Sequence, residues 1–278
     1  MKNRPLLFLI VLGLMAFSSC RDKELDMTLV QKTLFQNEVI NEISAADGWY
    51  VTIVQDDAEQ YVELNYSAFL ESYVVVQKEG DKLTIGFNQS VRLPNGSMAK
   101  AVIHLNTMSK LALSDAAYAM LEGTFESPSF VMELEDAAAC RGGSFTGNFE
   151  ARLRDASVMA EMTIDGVRCN IVLEDASVFK GDVFASERMD VSASDASRLT
   201  VYGGRAPLAV VELEDASSLN TISMTISEMQ VGLKDASEAF VNVTNSISGV
   251  LRNSSVLQYK GDPDLNLDCD DSSKVQPY

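Results

Sequence analysis

A five-residue motif, Leu-Glu-Asp-Ala-Ser, recurs along the chain in close variants at an almost constant interval of about 20 residues. Degenerate copies follow at Asn253 and Asp271. A fixed period of this length indicates a solenoid, in which each copy forms one coil that stacks on the previous coil. The aspartates of the clear copies are Asp115, Asp136, Asp155, Asp175, Asp195, Asp215 and Asp235.

Apolar residues alternate with other residues before each motif, at two, four and six positions ahead of the aspartate. In one copy these residues are Leu173, Ile171 and Cys169. Alternation with a period of two is typical of a strand with one buried face, and no helical period fits it. The columns therefore predict one strand that leads into every turn.

The phase of the alternation changes after the motif. Apolar residues recur four positions after the aspartate, and in several copies also seven and nine after it, as in Met162 and Ile164 or Ile222 and Met224. A change of parity requires a bend in the chain. We therefore predict two short strands per coil, stacked about 4.8 Å from the equivalent strands of the next coil. The fold class is all-β, a single-stranded parallel β-helix with coils of about 20 residues.

Asp-Ala-Ser falls where the first strand must turn. We expect the alanine to point into a tight corner and the Asp and Ser side chains to bond nearby backbone N–H groups. A row of stacked carboxylates could instead bind calcium, which takes oxygen ligands. The glycine-rich nonapeptide of calcium-binding β-rolls is absent, so calcium at this aspartate row remains the minor alternative and no cofactor is expected.

The first residues are typical of a targeting segment. Lys2 and Arg4 precede an apolar run over 6–17 that is too short to span a bilayer, and small residues and Cys20 follow. This order resembles a bacterial lipobox, which implies a signal peptide over 1–19 and lipidation of Cys20. An ordinary secretory signal is the alternative. Residues 20–30 then read as a charged tether.

The remaining chain, 31–278, is predicted to be one β-helix domain, with N-terminal coils or a cap over 31–106 and repeat coils over 107–278. Glu79-Gly80-Asp81 separates two alternating runs and indicates a hairpin or tight turn. A separate small β domain over the first part is the alternative.

The formal net charge of −18 disfavours nucleic acid as a partner, because phosphates would be repelled, and no basic aromatic patch is present. An acidic surface remains compatible with neutral glycans and with other surface proteins. These two classes of ligand and the membrane, reached through the lipid anchor, are the expected partners.

Few residues point to catalysis. His104 is the only histidine, and no nucleophile motif accompanies it. Cys140, Cys169 and Cys269 lack metal-binding spacing and fall in apolar columns, which predicts three buried free thiols and no metal site. The carboxylate pairs are periodic, whereas an active site is normally unique, and they are Glu135/Asp136, Glu174/Asp175 and Glu214/Asp215.

The order of segments resembles a known family, the putative auto-transporter adhesins with a head-GIN domain that are common in secreted and lipid-anchored proteins of Bacteroidetes. The resemblance rests on the opening that begins Gly48-Trp49-Tyr50, the ladder of short turns, and a closing Tyr259-Lys260-Gly261-Asp262-Pro263. An aspartate replaces the family's usual first glycine in the turns. The resemblance implies a right-handed β-helix at the cell surface or in the periplasm, without an established activity.

Together these features predict a lipid-anchored outer-membrane protein of the cell envelope that is not an enzyme and acts as a binding, adhesion or structural module. The alternative is a polysaccharide-active β-helix lyase or hydrolase. A cluster of Asp, Arg and Tyr outside the repeat would favour the enzyme, and the irregular stretch Tyr202-Gly203-Gly204-Arg205 is where such a cluster could lie.

Overall fold

The computed structural model describes residues 25–278, so the predicted signal segment and Cys20 lie outside the described part of the chain. Within it, no helix is long and apolar enough to cross a membrane, and one short 3-10 helix covers Ala68–Leu70. The strands are β1 Leu29–Leu34, β2 Glu42–Ala45, β3 Tyr50–Gln55, β4 Tyr61–Ser67, β5 Val74–Glu79, β6 Lys82–Phe87, β7 Ala99–Leu105, β8 Lys110–Leu113, β9 Tyr118–Leu134, β10 Ala139–Leu153, β11 Val158–Leu173, β12 Val178–Ala193, β13 Arg198–Leu213, β14 Ser218–Leu233, β15 Glu238–Leu251, β16 Val256–Lys260, β17 Asp264–Cys269 and β18 Lys274–Pro277.

The strands β9 to β15 each pass once around the body, from one Asp-Ala turn to the next. Each of them pairs in parallel with the strand of the neighbouring coil. The register places Leu153 beside Leu134 on one side and beside Leu173 on the other, as the apolar columns require. The predicted parallel β-solenoid is therefore confirmed, with about eight turns of about 20 residues.

Each coil has three inward-facing runs, whereas two strands were predicted. In β11 the buried side chains are Met159, then Met162 and Ile164, then the column that ends at Leu173. The ladder to β12 shifts between Ala160 and Met162 and again before Arg168, and these shifts are the bends. Two phase changes per coil give a three-sided cross-section.

The sixth coil differs from the prediction in one detail. Met224 and Ile226 are buried there, and Ile222 is only half-buried. The reason is a bend between Asn220 and Thr225, a stretch in which β13 and β14 are not paired. The chain regains its inward alternation two residues later than the sequence pattern suggests.

The core is a set of side-chain ladders. Four phenylalanines form a cluster within it, with the ring centroid of Phe145 5.6 Å from Phe125, 4.2 Å from Phe130 and 5.3 Å from Phe149. Cys140 and Cys169 are buried free thiols, as predicted. The prediction was wrong for Cys269, which is exposed, because β17 pairs only with β15 and no strand of the described chain covers its other edge.

The coil at the other end contains a turn that the 20-residue period does not reveal. β2 and β3 flank Asp47 and Gly48 and pair in parallel with β8 and β9. On the opposite side of this coil lie β6 and β7, which also pair with it in parallel. The strands β6 and β7 therefore lie further out along the solenoid than β2 and β3, although they come later in the chain.

Antiparallel strands cover this end of the solenoid. β5 pairs with β6 through the predicted hairpin at Gly80, β4 pairs with β7, and β1 pairs with β4. Beneath them Trp49 is fully buried, with its ring centroid 5.7 Å from Phe87 and 6.5 Å from Tyr66. β1 begins at Leu29, two residues before the boundary expected at residue 31.

Candidate functional site: the turn row and the outer faces

The recurring Asp-Ala pair forms the two central residues of a tight turn. Asp175 and Ala176 have φ values of 53° and 61°, and the Ser177 amide donates to the Glu174 carbonyl at 3.3 Å. Two consecutive left-handed residues closed by this bond define a type I′ turn. Aspartate tolerates the left-handed region better than most residues do, which accounts for its place at the first position.

The turns are bonded to one another along the solenoid, and we call this series the turn row. The Ala176 amide donates to the Asp195 carbonyl at 2.8 Å, and the equivalent bond recurs in the neighbouring turns. The alanine is exposed, so the prediction that it points into the corner was wrong. The third residue points inward instead, and Ser177 and its equivalents are fully buried.

The aspartate carboxylates of the turn row point outward into solvent. Among the seven repeat aspartates, Asp115 accepts the Ser114 hydroxyl at 3.0 Å, and Asp235 accepts the Asn253 side-chain amide at 2.8 Å. Within residues 25–278 no group of three His, Cys, Asp or Glu side chains is placed to bind a metal ion. The left-handed backbone of the turn is by itself a sufficient reason for an aspartate at its first position.

The residues just before each turn form a charged outer surface, which we call the pre-turn face. Arg154 contacts Glu135 of the previous coil at 2.8 Å, and Lys234 contacts Glu214 at 2.7 Å. These pairs are half exposed, so each contributes little stability. A shallow cleft of about 480 Å³ crosses this face beside Glu174. Each Glu of the periodic Glu-Asp pairs directly follows the last residue of a strand and each Asp lies in the turn, as a repeated surface pattern.

The residues three positions after each turn aspartate form an outward row on the opposite side of the turns, which we call the post-turn face. From the coil after Val178 onward, the first residues of this row are polar or charged: Arg198, Ser218 and Glu238. Its first half is apolar or aromatic and lies in register across neighbouring strands: Tyr50, Tyr118, Ala139, Val158 and Val178. The row thus changes from apolar to polar side chains halfway along a regular repeat. The fold itself does not require this change.

Two tyrosines form the aromatic part of this face. The rings of Tyr50 and Tyr118 are stacked, with centroids 4.9 Å apart and planes 20° from parallel. Lys100 lies over the Tyr50 ring at 5.4 Å, and the Tyr50 hydroxyl contacts the Met120 sulfur at 3.8 Å. This pair was not predicted from the sequence. The signal was available in Asp47-Gly48, a type I′ dipeptide that places Tyr50 at the same position as Tyr118.

His104 is held by two neighbours. Its Nδ1 lies 3.2 Å from an Asp56 carboxylate oxygen, and its ring is stacked on Tyr61 with centroids 4.3 Å apart. The Asp56 carboxylate also accepts the Ala58 amide, and these bonds hold the pKa of Asp56 below its ordinary value. In residues 25–278 His104 has no hydrogen bond to a serine or cysteine, so it is a satisfied surface histidine.

The irregular stretch 202–205 is part of β13. The Tyr202 side chain is 55% exposed, and the Arg205 guanidinium lies 5.7 Å from the centroid of the Phe184 ring. Gly204 has φ 131°, and a Cβ there would meet the Val183 carbonyl oxygen at 1.8 Å. Gly204 therefore allows two coils to approach closely.

Comparison with known proteins adds the family. The family model described as putative auto-transporter adhesin, head GIN domain, matches residues 40–263. No curated protein sequence matches the chain. A solved structure of a putative adhesin from Parabacteroides merdae is similar, with a TM-score of 0.66 at 12% identity over 90% of this chain and 96% of that one.

Two structures from Parabacteroides distasonis are also similar. A putative adhesin has a TM-score of 0.66 at 15% identity, and a putative lipid binding protein has a TM-score of 0.60 at 13% identity, each over 91% of this chain and 98% of the other. These likenesses concern the fold. Since the family model covers most of the chain, the protein belongs to the family of putative auto-transporter adhesins with a head GIN domain.

Proposed function

We propose that this protein is a lipid-anchored, non-catalytic binding module of the cell envelope. Cys20 is the anchor, residues 20–30 are the tether, and the post-turn face binds a glycan or a surface protein. The family membership supports a binding role at the cell surface or envelope. The single observation that carries the choice of face is the row from Tyr50 to Val178, because apolar and aromatic side chains that are partly exposed in one patch are typical of interaction sites.

The binding face is tested with charge substitutions. Val158→Lys and Val178→Lys together place two ammonium groups in the apolar half of the row. Val172→Lys and Val250→Lys are the matched controls, because both valines lie outside the post-turn face and are partly or fully exposed. Binding to panels of immobilised glycans and extracellular proteins is measured. We expect the first pair to weaken binding about tenfold and the control pair to leave it unchanged.

The anchor is tested separately in the full chain. Cys20→Ala should abolish incorporation of labelled palmitate in a bacterial host and release the protein from the membrane fraction. Incubation of the same preparations with polysaccharides should release no reducing ends. Release that depends on His104 would replace this proposal with the polysaccharide-active enzyme, and equal loss of binding in both lysine pairs would remove the post-turn face from it.

A further inference from the structure

The stacked rings of the post-turn face, Tyr50 and Tyr118, are followed on the next strand by the small side chain of Ala139. Tyr118 is stacked on Tyr50 on one side, and on its other side the register places Ala139, followed by Val158. Neighbouring strands are about 4.8 Å apart, so Tyr118 and Val158 are separated by about 10 Å with only a methyl group between them. This gap, which we call the notch, has room for one ring stacked on the free face of Tyr118.

A strained residue lies at the rim of the notch. Glu161 has φ 58°, and it is the one non-glycine residue of β9 to β15 in the left-handed region. At the same place in the previous coil lies Gly142, with φ 80°, whereas the register to the next coil pairs Gly181 with Met162 and leaves Glu161 unpaired in that ladder. A left-handed conformation is strained for a side chain such as glutamate, and glycine would avoid this strain. Strain of this kind is concentrated at functional sites, where a bulge redirects a side chain.

The redirected carboxylate binds Arg141. The Arg141 Nε and Nη2 atoms both donate to Glu161, in a two-bond contact, although the side chains are 50% and 56% exposed. Arg141 lies opposite Met120 in the ladder, two residues along the strand from Tyr118 and on the same face. Glu161 first, and Tyr118 to a smaller extent, raise the pKa of Arg141 above its ordinary value. The glutamate therefore holds the guanidinium on the face of the sheet that carries Tyr118.

We propose that the notch formed by Tyr118, Ala139, Val158, Arg141 and Glu161 binds one pyranose ring of a neutral glycan. A pyranose has an apolar face of C–H groups that stacks on an aromatic ring, and hydroxyl groups at its edge that both donate and accept hydrogen bonds. Arg141 supplies free donors and Glu161 free acceptors. The ion pair has no net charge, and the chain carries −18, so an acidic sugar would be disfavoured.

This inference rests on the proposed function and names the ligand class of the same face. The probe is an array of neutral oligosaccharides with gluco-, galacto- and manno-configured rings, and the protein is the chain from residue 21, which contains every strand. Tyr118→Ala removes the stacking ring. Ala139→Phe fills the notch and extends the aromatic ladder, so the fold should not lose stability. Glu161→Gly relieves the strain and frees Arg141. Tyr202→Ala is the control for an exposed tyrosine elsewhere.

We expect the wild type to bind at least one class of neutral glycan. Tyr118→Ala and Ala139→Phe should each weaken this binding about tenfold, Glu161→Gly should weaken it severalfold with an unchanged or higher Tm, and Tyr202→Ala should have no effect. Binding that survives both Tyr118→Ala and Ala139→Phe would overturn the notch and leave the proposed function intact. An array without any bound neutral glycan would overturn the notch as well. A protein ligand sensitive to Val158→Lys and Val178→Lys would then still support the proposed function.

Discussion

The Gly48 amide donates a hydrogen bond to the Asp115 carbonyl at 2.8 Å. This bond has the same form as those between successive Asp-Ala turns, so Asp47-Gly48 is the first member of the turn row. A dipeptide at one end of the chain and a repeat that begins much later thus form one continuous structure. The stability of the row, of the core and of the close contacts between coils can each be tested.

The charge of the turn row can be reduced by copying its natural asparagine. Asn253 donates its side-chain amide to Asp235 at 2.8 Å, and Asp195→Asn should create the same bond to Asp175 while removing one of the stacked carboxylates. Asparagine also tolerates the left-handed conformation. We expect the urea midpoint to rise by a few tenths of a molar. Asp165→Asn, an exposed position outside the row, is the control, and an equal rise there would argue for a general charge effect.

The phenylalanine cluster should contribute strongly to stability. Phe145→Ala removes the ring at the centre of the cluster and leaves a cavity, because strands on both sides hold the neighbouring rings in place. The expected loss is about 3–5 kcal/mol in the free energy of unfolding. Phe184→Ala is the matched control, since that side chain faces outward beneath Arg205. Denaturant titration followed by circular dichroism measures both, and similar losses would contradict the assigned packing.

Gly204 should not accept any side chain. Gly204→Ala places a methyl group against the backbone of Val183, which cannot move without breaking the ladder between β12 and β13. We expect a loss of more than about 3 kcal/mol or failure to fold. Gly80→Ala is the comparison, because its φ of 63° is also left-handed but its Cβ would meet no atom within 4 Å. Gly80→Ala should lower the free energy of unfolding by only about 1 kcal/mol. If both substitutions cost about the same, the left-handed φ and not the backbone contact would be the cause.

The three described cysteines should differ in reactivity. Burial raises the pKa of Cys169 to about 12 and raises that of Cys140 further, whereas Cys269 is exposed. The thiolate is the reactive form, so only Cys269 should react with a disulfide reagent near about pH 8 in the folded chain from residue 21. Cys269→Ser should abolish this reaction. Two further thiols should react on unfolding, and rapid labelling of Cys140 would mean that its coil opens.

Asp270 should make stability depend on pH. Its carboxylate accepts the amides of Asn253 and Ser273, and these bonds lower the pKa of Asp270 in the folded state. A lowered folded-state pKa means that the contribution is present above the unfolded pKa of about 3.9 and is lost as the pH falls through the folded value. Asp270→Asn should therefore be less stable than the wild type near about pH 7, and this difference should shrink on acidification. A constant difference would assign the effect to packing.

The fold could be predicted from the sequence because the positions that are buried in the core are the positions that recur most regularly in the repeat. Leu173 and its equivalents identified an inward column that depends only on residues two positions apart. Asp47 was missed because Asp-Gly differs from Asp-Ala-Ser, and because β4 to β7 interrupt the period before the next copy. The exposure of Cys269 depends on a neighbouring strand and not on its own column, so the alternation could not reveal it.

The candidate site was less predictable for a related reason. The notch depends on which coil lies beside Tyr118, and the neighbour on one side is β3, far away in the chain. The strain at Glu161 depends on the backbone of one bulge, and a glutamate where the previous coil carries glycine gives only a faint signal. Such features arise from register between coils, which a single copy of the repeat does not encode.

The regular register from β11 to β14 has a consequence for how such proteins can change during evolution. Duplication of one unit of about 20 residues after Asp195 would lengthen the body by about 4.8 Å and would leave every contact of Tyr118 unchanged. Loss of a unit there would shorten it just as cleanly. Recombination between these repeats can thus change the length of the body beyond the post-turn face, while the first coils and the notch keep their structure.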